Sequence, residues 1–322
     1  MEQKKRQKAL ISVDTEGPAG ELPVERMIYS RIRNGKEYGI HFLMDYFDKE
    51  NIKALFFVDI PEIVDHGEDK IKKVMLDIFS RGHDVGVHVH PDHMYDINRR
   101  YLWQYTYDEQ YEIIARCTDF YEKTLKKAPL SFRAGRYGAN NDTMQVLKKL
   151  GYYYDMSQFY ASRYCKIDPP ITWNRVVRYE DSQLREVPVT TVRSFSTPFY
   201  ERNDQIDSGR IPSEFRRFMR EIERTDSVDV VSMFFHSFQF INWRLNPDDP
   251  KFSKRKYDYV IKNMEYMKKL NIEFVSESDL VSIAENENDK LGPVDVSKGL
   301  ISYYYFFVRA IGVLRDRMVR NI

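Results

Sequence analysis

What most restricts the fold of this chain is a rhythm: short apolar segments of strand length alternate with longer segments of helical period. Strand-like runs fall at residues 9–13, 52–58, 84–90, 130–133, 152–156, 185–190, 228–235 and 272–275. Helical spacing falls at 36–50, 68–80, 107–126, 141–150, 213–224, 254–270 and after Ser276. Asn141 is read as a helix cap and Gly151 as the stop of the same helix. The segment 158–183 reads as a hairpin or long loop, and 194–210 as a polar loop. Six or seven β/α units imply a parallel sheet, either an α/β barrel or an open doubly wound sheet. The first strand lacks a glycine-rich phosphate loop, which argues against a dinucleotide-binding fold. One barrel can occupy most of a 322-residue chain.

A barrel places its chemistry at the C-terminal ends of its strands. The run Gly82-His83-Asp84-Val85-Gly86-Val87-His88-Val89-His90-Pro91-Asp92-His93 holds four of the seven histidines. Alternation puts Val85, Val87 and Val89 on one face and His88 and His90 on the other. Imidazoles at a strand end beside a carboxylate have the composition of a divalent metal site, although a solvated His-rich turn has the same composition. In the first strand, Ile11-Ser12-Val13-Asp14-Thr15-Glu16-Gly17-Pro18 ends in two acids spaced i, i+2, hence on one face. Two like charges there cost energy unless a cation or proton separates them. A metal would hold one carboxylate and leave the other as a base.

Three further strand ends carry polar residues. Ser131-Phe132-Arg133-Ala134-Gly135-Arg136-Tyr137-Gly138 leads into a turn whose backbone N–H groups could face a substrate oxygen, and Arg133 could hold a carboxylate ionised. Asp155 follows the fifth strand. His236 ends the apolar run Met233-Phe234-Phe235 and suits a general acid whose tautomer Asp155 could fix. His41 and His66 are read as bystanders.

The net charge of +1 gives no field for nucleic acid. Aromatics reach 14%, with 23 Tyr and 20 Phe; core packing explains most, and sugar stacking some. Cys117 and Cys165 lack metal spacing and read as reduced thiols of a cytoplasmic protein. The basic start leads into an apolar run too short for a secretion signal, and no stretch suits a spanning helix. Residues 1–290 are read as the barrel and 291–322 as an apolar and basic tail helix, with Arg315, Arg317 and Arg320 near its end. Packing on the barrel is preferred for the tail over an oligomer contact or an interfacial membrane helix.

The order of these five motifs resembles the polysaccharide deacetylase family, metal-dependent hydrolases on an irregular (β/α)7-type barrel. The resemblance spans residues 9–280. The Arg-Ala-Gly-Arg-Tyr-Gly and Phe-His-Ser forms are similar to a divergent branch associated with surface-polysaccharide loci. It implies that Asp14 is the general base, with Glu16 and His88 as ligands of a divalent metal, zinc in the first instance. Tyr137 would lend its backbone N–H to an oxyanion hole, Arg133 would tether Asp14, and His236 would be the acid, supported by Asp155. Three departures stand out. The acidic motif is Asp-Thr-Glu where the family has two aspartates. The second histidine of the family motif falls at Asp92. The arginine motif is one residue longer. The third ligand is therefore His90 by strand geometry or Asp92 by motif alignment, with His90 slightly preferred. The implied reaction is removal of an N-acetyl group from an amino sugar, with a polysaccharide precursor as one candidate substrate. The rivals are another amide hydrolase on the same scaffold and a non-catalytic sugar-binding relative.

Overall fold

The computed structural model describes residues 6–17, 23–160, 162–244, 246–247, 249–283 and 292–320, with side chains to Ile311. Pro18, at the end of the acidic motif, lies outside them, as do the side chains of Arg315, Arg317 and Arg320. The described residues hold twelve strands: β1 Lys8–Thr15, β2 Leu55–Asp59, β3 Asp84–Val89, β4 Ser131–Ala134, β5 Tyr154–Asp155, β6 Val177–Arg178, β7 Arg185–Glu186, β8 Thr191–Thr197, β9 Tyr200–Gln205, β10 Val230–His236, β11 Glu273–Val275 and β12 Val294–Asp295. The helices are α1 Val24–Met27, α2 Ile40–Lys49, α3 Ile63–His66, α4 Glu68–Ser80, α5 Tyr107–Leu125, α6 Asn141–Leu150, α7 Pro212–Thr225, α8 Lys254–Lys269 and α9 Leu300–Arg320.

Nine strands form one curled sheet in the order β10-β1-β2-β3-β4-β5-β7-β6, with β11 also on β1. All its pairings are parallel except β6 with β7. The alternation within each strand separates two cores. Ala9, Ile11 and Val13 of β1, Phe56 and Val58 of β2, and the three β3 valines point outward to pack with helix residues such as Phe47, Ile71 and Ile114. Leu10, Leu55, Phe57, Met156, Val187 and Val230 fill the inside. Further along β1 the same inner face carries Ser12 and Asp14, so an apolar floor gives way to a polar mouth.

The two ends of the curled sheet are β6 and β10, and side chains link the segments around them. Thr190 Oγ1 accepts from Ser232 N–H at 2.8 Å. Asn174 bonds both backbone groups of Thr191, at 2.7 and 3.0 Å. This is the irregularity of the barrel: where a ladder would close it, polar side chains span the seam.

Several local expectations change. The cap of α6 is Asn140, whose Oδ1 accepts from Thr143 N–H at 3.1 Å, and Gly151 ends the helix at φ 82°. The strand expected at 185–190 is paired only at Arg185–Glu186. Residues 194–210 are largely not a loop: β8 and β9 form an antiparallel hairpin from Thr191↔Gln205 to Thr197↔Tyr200. Between Ser276 and Ile283, the described residues hold the short turn of helix Ser278–Ser282 where a longer helix was expected.

β12 adds to β8 in parallel, making a second sheet. α9 lies against it: Phe306 stacks on Phe195 with ring centres 4.4 Å apart, and Arg309 pairs with Asp204 and Glu214. Among the described residues no helix is long and apolar enough to cross a membrane.

Candidate active site

Strand register brings the motifs together before any side chain is considered. Asp14 lies opposite His236 on one neighbour and Phe57 on the other. His88 lies opposite Asp59 and Arg133. Residues more than two hundred positions apart thus meet at one mouth.

Arg133 is the pivot. It is 1% exposed, and NH1 binds Asp14 Oδ1 at 2.5 Å. Its NH2 donates to Ser12 Oγ at 3.0 Å and Nε to Met156 O at 3.3 Å, while the guanidinium lies 4.3 Å from the centre of the Phe57 ring. A planar cation with an aromatic face below and three acceptors at its edge is fixed in orientation. Gly86 permits this stack, because a Cβ there would stand 2.7 Å from the Phe57 ring.

Glu16 Oε2 lies 3.1 Å from His88 Nε2 and 2.7 Å from His90 Nε2, and Oε1 lies 3.7 Å from His236 Nε2. Strand geometry explains why His90 joins His88: the two share a face, and their rings meet edge to face at 4.9 Å. Gly135 makes room, since a Cβ at that position would stand 2.5 Å from the His90 ring. Asp92 follows Pro91, where the strand has ended. It faces Arg136 NH1 at 2.8 Å and Arg100 Nε at 3.6 Å, away from the Glu16 cluster.

The donor set fits a divalent cation. His88 Nδ1 lies 2.8 Å from the Arg133 carbonyl, which can only accept, so Nδ1 carries the hydrogen. A neutral His88 then presents its Nε2 lone pair to the Glu16 carboxylate, acceptor against acceptor. Either a second proton on the ring or a cation between the two resolves that contact. Carbonyl-held imidazoles are the usual support of metal-ligating histidines. Burial opposes ionisation of Glu16, but the His90 and His88 imidazoles outweigh it and hold the carboxyl well below its usual range. Burial pushes His90 down to about 4, toward the neutral ligating form. Glu16, His88 and His90 offer one ligand atom each within 4.8 Å of one another.

The remaining expected residues divide. His236 sits at the mouth between Phe234 and Phe238, its side chain 32% exposed, the most open of the set. Tyr137 is in the turn after β4, its ring against Phe159. Arg136 and Tyr137 both have left-handed φ, 54° and 58°, a costly conformation for residues with side chains. Asp155 is brought near Arg133 but is paired elsewhere. It accepts from Ser157 Oγ at 2.6 Å and from Ser157 N–H at 3.2 Å, and its carboxyl adjoins that of Glu186; burial raises both acids. The expected support of His236 by Asp155 is replaced by this carboxyl pair. His41 bonds Glu37 at 2.8 Å, apart from the mouth.

Sequence reasoning passed over Ser12, Phe57, Gly86, Gly135 and Glu186. It also passed over a second buried group at the end of β2 and in the loop after β3: Asp59, Glu62 and His93. Asp59 ends a strand, so the rule that found the other residues could have found it.

The polysaccharide deacetylase family model matches residues 26–154, which include His88, His90 and Arg133. Among solved structures, a candidate polysaccharide deacetylase from Mycobacterium smegmatis is similar at 15% identity and TM-score 0.57, covering 90% of this chain and 96% of that one. A family 4 carbohydrate esterase pseudoenzyme from Bacillus anthracis aligns at 10% identity and TM-score 0.47, covering 87% and 66%. A family 4 carbohydrate esterase from Streptomyces lividans aligns at 10% and 0.43, covering 89% and 98%. The first of these shows the fold to be of the deacetylase type. No curated protein matches the chain.

Proposed function

We propose that this chain, which carries a polysaccharide deacetylase domain, removes the N-acetyl group from an amino-sugar-containing substrate with a divalent metal, zinc, at Glu16, His88 and His90. The observation that carries the reading is the approach of Glu16 Oε2 to both imidazoles at 3.1 and 2.7 Å, beside an Asp14 held by Arg133. One carboxylate and two imidazoles are a donor set that zinc accepts. The bound ion would polarise the acyl carbonyl and acidify a water.

The chain's own residues supply the rest. Asp14 takes the proton of the attacking water, with its orientation fixed by Arg133 and Ser12. The backbone N–H of Tyr137, set by the strained turn, faces the oxygen that becomes negative. His236, open to the mouth, delivers a proton to the departing amine. Asp155, hydrogen-bonded by Ser157 and beside Glu186, lies close enough to Arg133 to interact with its charge. With cytoplasmic placement, indicated by two unpaired cysteines, the substrate would be a nucleotide- or lipid-linked precursor.

The test is acetate release from a panel of free and nucleotide-linked N-acetylated amino sugars by zinc- or cobalt-loaded protein. The expected result is acetate and free amine in equal amounts, abolished in a folded Asp14→Asn variant. No acetate from any member of the panel, with metal bound, would refute the assignment.

A further inference from the structure

We infer that Asp59, Glu62 and His93 form a second divalent-cation site, separate from the Glu16 cluster. Each offers one ligand atom within 4.8 Å of the others. Asp59 and Glu62 are both 1% exposed, and Asp59 Oδ2 and Glu62 Oε2 have no hydrogen-bond partner among the described residues. Two unsatisfied buried carboxylate oxygens aimed into one space are costly unless something positive lies between them.

The histidine supplies the independent indication. His93 Nδ1 lies 2.5 Å from Asp65 Oδ2, and its Nε2 lies 3.7 Å from Asp59 Oδ2. An ionised Asp65 accepts from Nδ1–H and leaves the Nε2 lone pair directed at Asp59. That is the carboxylate–histidine arrangement which orients a metal-ligating imidazole. It repeats the logic of His88, whose Nδ1 is held by the Arg133 carbonyl. His66 stands beside the group, with Nε2 3.8 Å from Glu62 Oε2. Mixed carboxylate and imidazole donors favour a first-row divalent ion such as zinc, cobalt or manganese over calcium.

The other oxygens of the two acids reach the first cluster. Asp59 Oδ1 accepts from His90 N–H at 2.9 Å, and Glu62 Oε1 accepts from Gly17 N–H at 2.5 Å. A cation here would tie together the two loops that carry His90 and Glu16. The role is positional and does not depend on the reaction at the mouth.

The experiment is metal counting. Full-length protein is stripped with chelator, reloaded with excess zinc, desalted, and measured by elemental mass spectrometry. Circular dichroism confirms folding. Asp59 is left intact because it holds the His90 backbone. The wild type is expected to carry two zinc ions per chain, and His93→Ala, Glu62→Gln and Glu16→Ala one each. In the cobalt-loaded protein, Glu16→Ala and Glu62→Gln should each lose a different part of the visible spectrum. One ion in the wild type, lost in Glu16→Ala and kept in both His93→Ala and Glu62→Gln, overturns the second site. Two ions retained in both of those variants also overturn it, as does no ion at all. One ion lost in His93→Ala or Glu62→Gln but kept in Glu16→Ala supports the second site and instead removes the metal from the proposed active centre.

Discussion

Replacing Arg133 by Met tests the architecture of the mouth without reference to substrate. The side chain is of similar length and apolar, so it can keep much of the packing on Phe57 while deleting every polar contact. The loss is the 2.5 Å ion pair with Asp14, the bond to Ser12 Oγ and the bond to the Met156 carbonyl. Arg133 and Asp14 are 1% and 6% exposed, so the abandoned carboxylate stays largely out of water. Removing one partner of a buried pair destabilises by about 3–5 kcal/mol. Urea unfolding at pH 7, followed by tryptophan fluorescence, should show a loss of that size. In the double variant with Asp14→Asn, part of it should return, because no charge is left stranded. Zinc binding at Glu16 and His88 should largely survive in Arg133→Met, since His88 is held by the backbone carbonyl of residue 133 and not by its side chain. A loss below about 1 kcal/mol, in the range of exposed pairs, would refute the reasoning, as would a double variant that simply sums the single effects.

Other predictions are more local. Gly135→Ala should push the His90 ring aside, because its Cβ would stand 2.5 Å from that ring, and zinc affinity measured by competition with a chromophoric chelator should fall about 10–100-fold. Glu277 is pushed up by burial to about 7 from an ordinary value of 4.5. The unfolded chain therefore releases this proton first as pH rises, and the folded state loses up to about 3 kcal/mol between pH 4.5 and 7. Glu277→Gln should remove that slope and be the more stable protein at pH 8 in urea titrations; an unchanged slope would contradict the assignment. Glu186→Gln should keep a neutral hydrogen-bond donor beside the Asp155 carboxyl and cost less than about 2 kcal/mol by thermal unfolding, because burial and the Asp155 charge already raise Glu186 toward its protonated form.

The β/α rhythm was legible because outward-facing residues such as Val85, Val87 and Val89 repeat at the period that the sheet imposes. The hairpin of β8 and β9 was not, because Arg193, Ser194, Arg202 and Asp204 give neither face an unbroken apolar pattern; its partner, α9, lies about a hundred residues downstream. The proposed site was read from strand ends. Of the two candidate ligands, His90 lies against Glu16, whereas Pro91 turns the chain before Asp92 can share the inner face and Asp92 lies against Arg136. The Glu186 carboxyl beside Asp155 comes from a distant segment with no local signal in the sequence. Ser12 and Phe57 looked like ordinary strand residues, and only the position of the guanidinium shows what they do.

The central claim is that Glu16, His88 and His90 share one cation at the mouth of the barrel. Anomalous diffraction at the zinc edge from zinc-loaded crystals tests it most directly. The account predicts a peak about 2.0–2.2 Å from a Glu16 oxygen and from Nε2 of both His88 and His90. A fully loaded crystal with no peak there, or with the ion bound through Asp92 in place of His90, would contradict it.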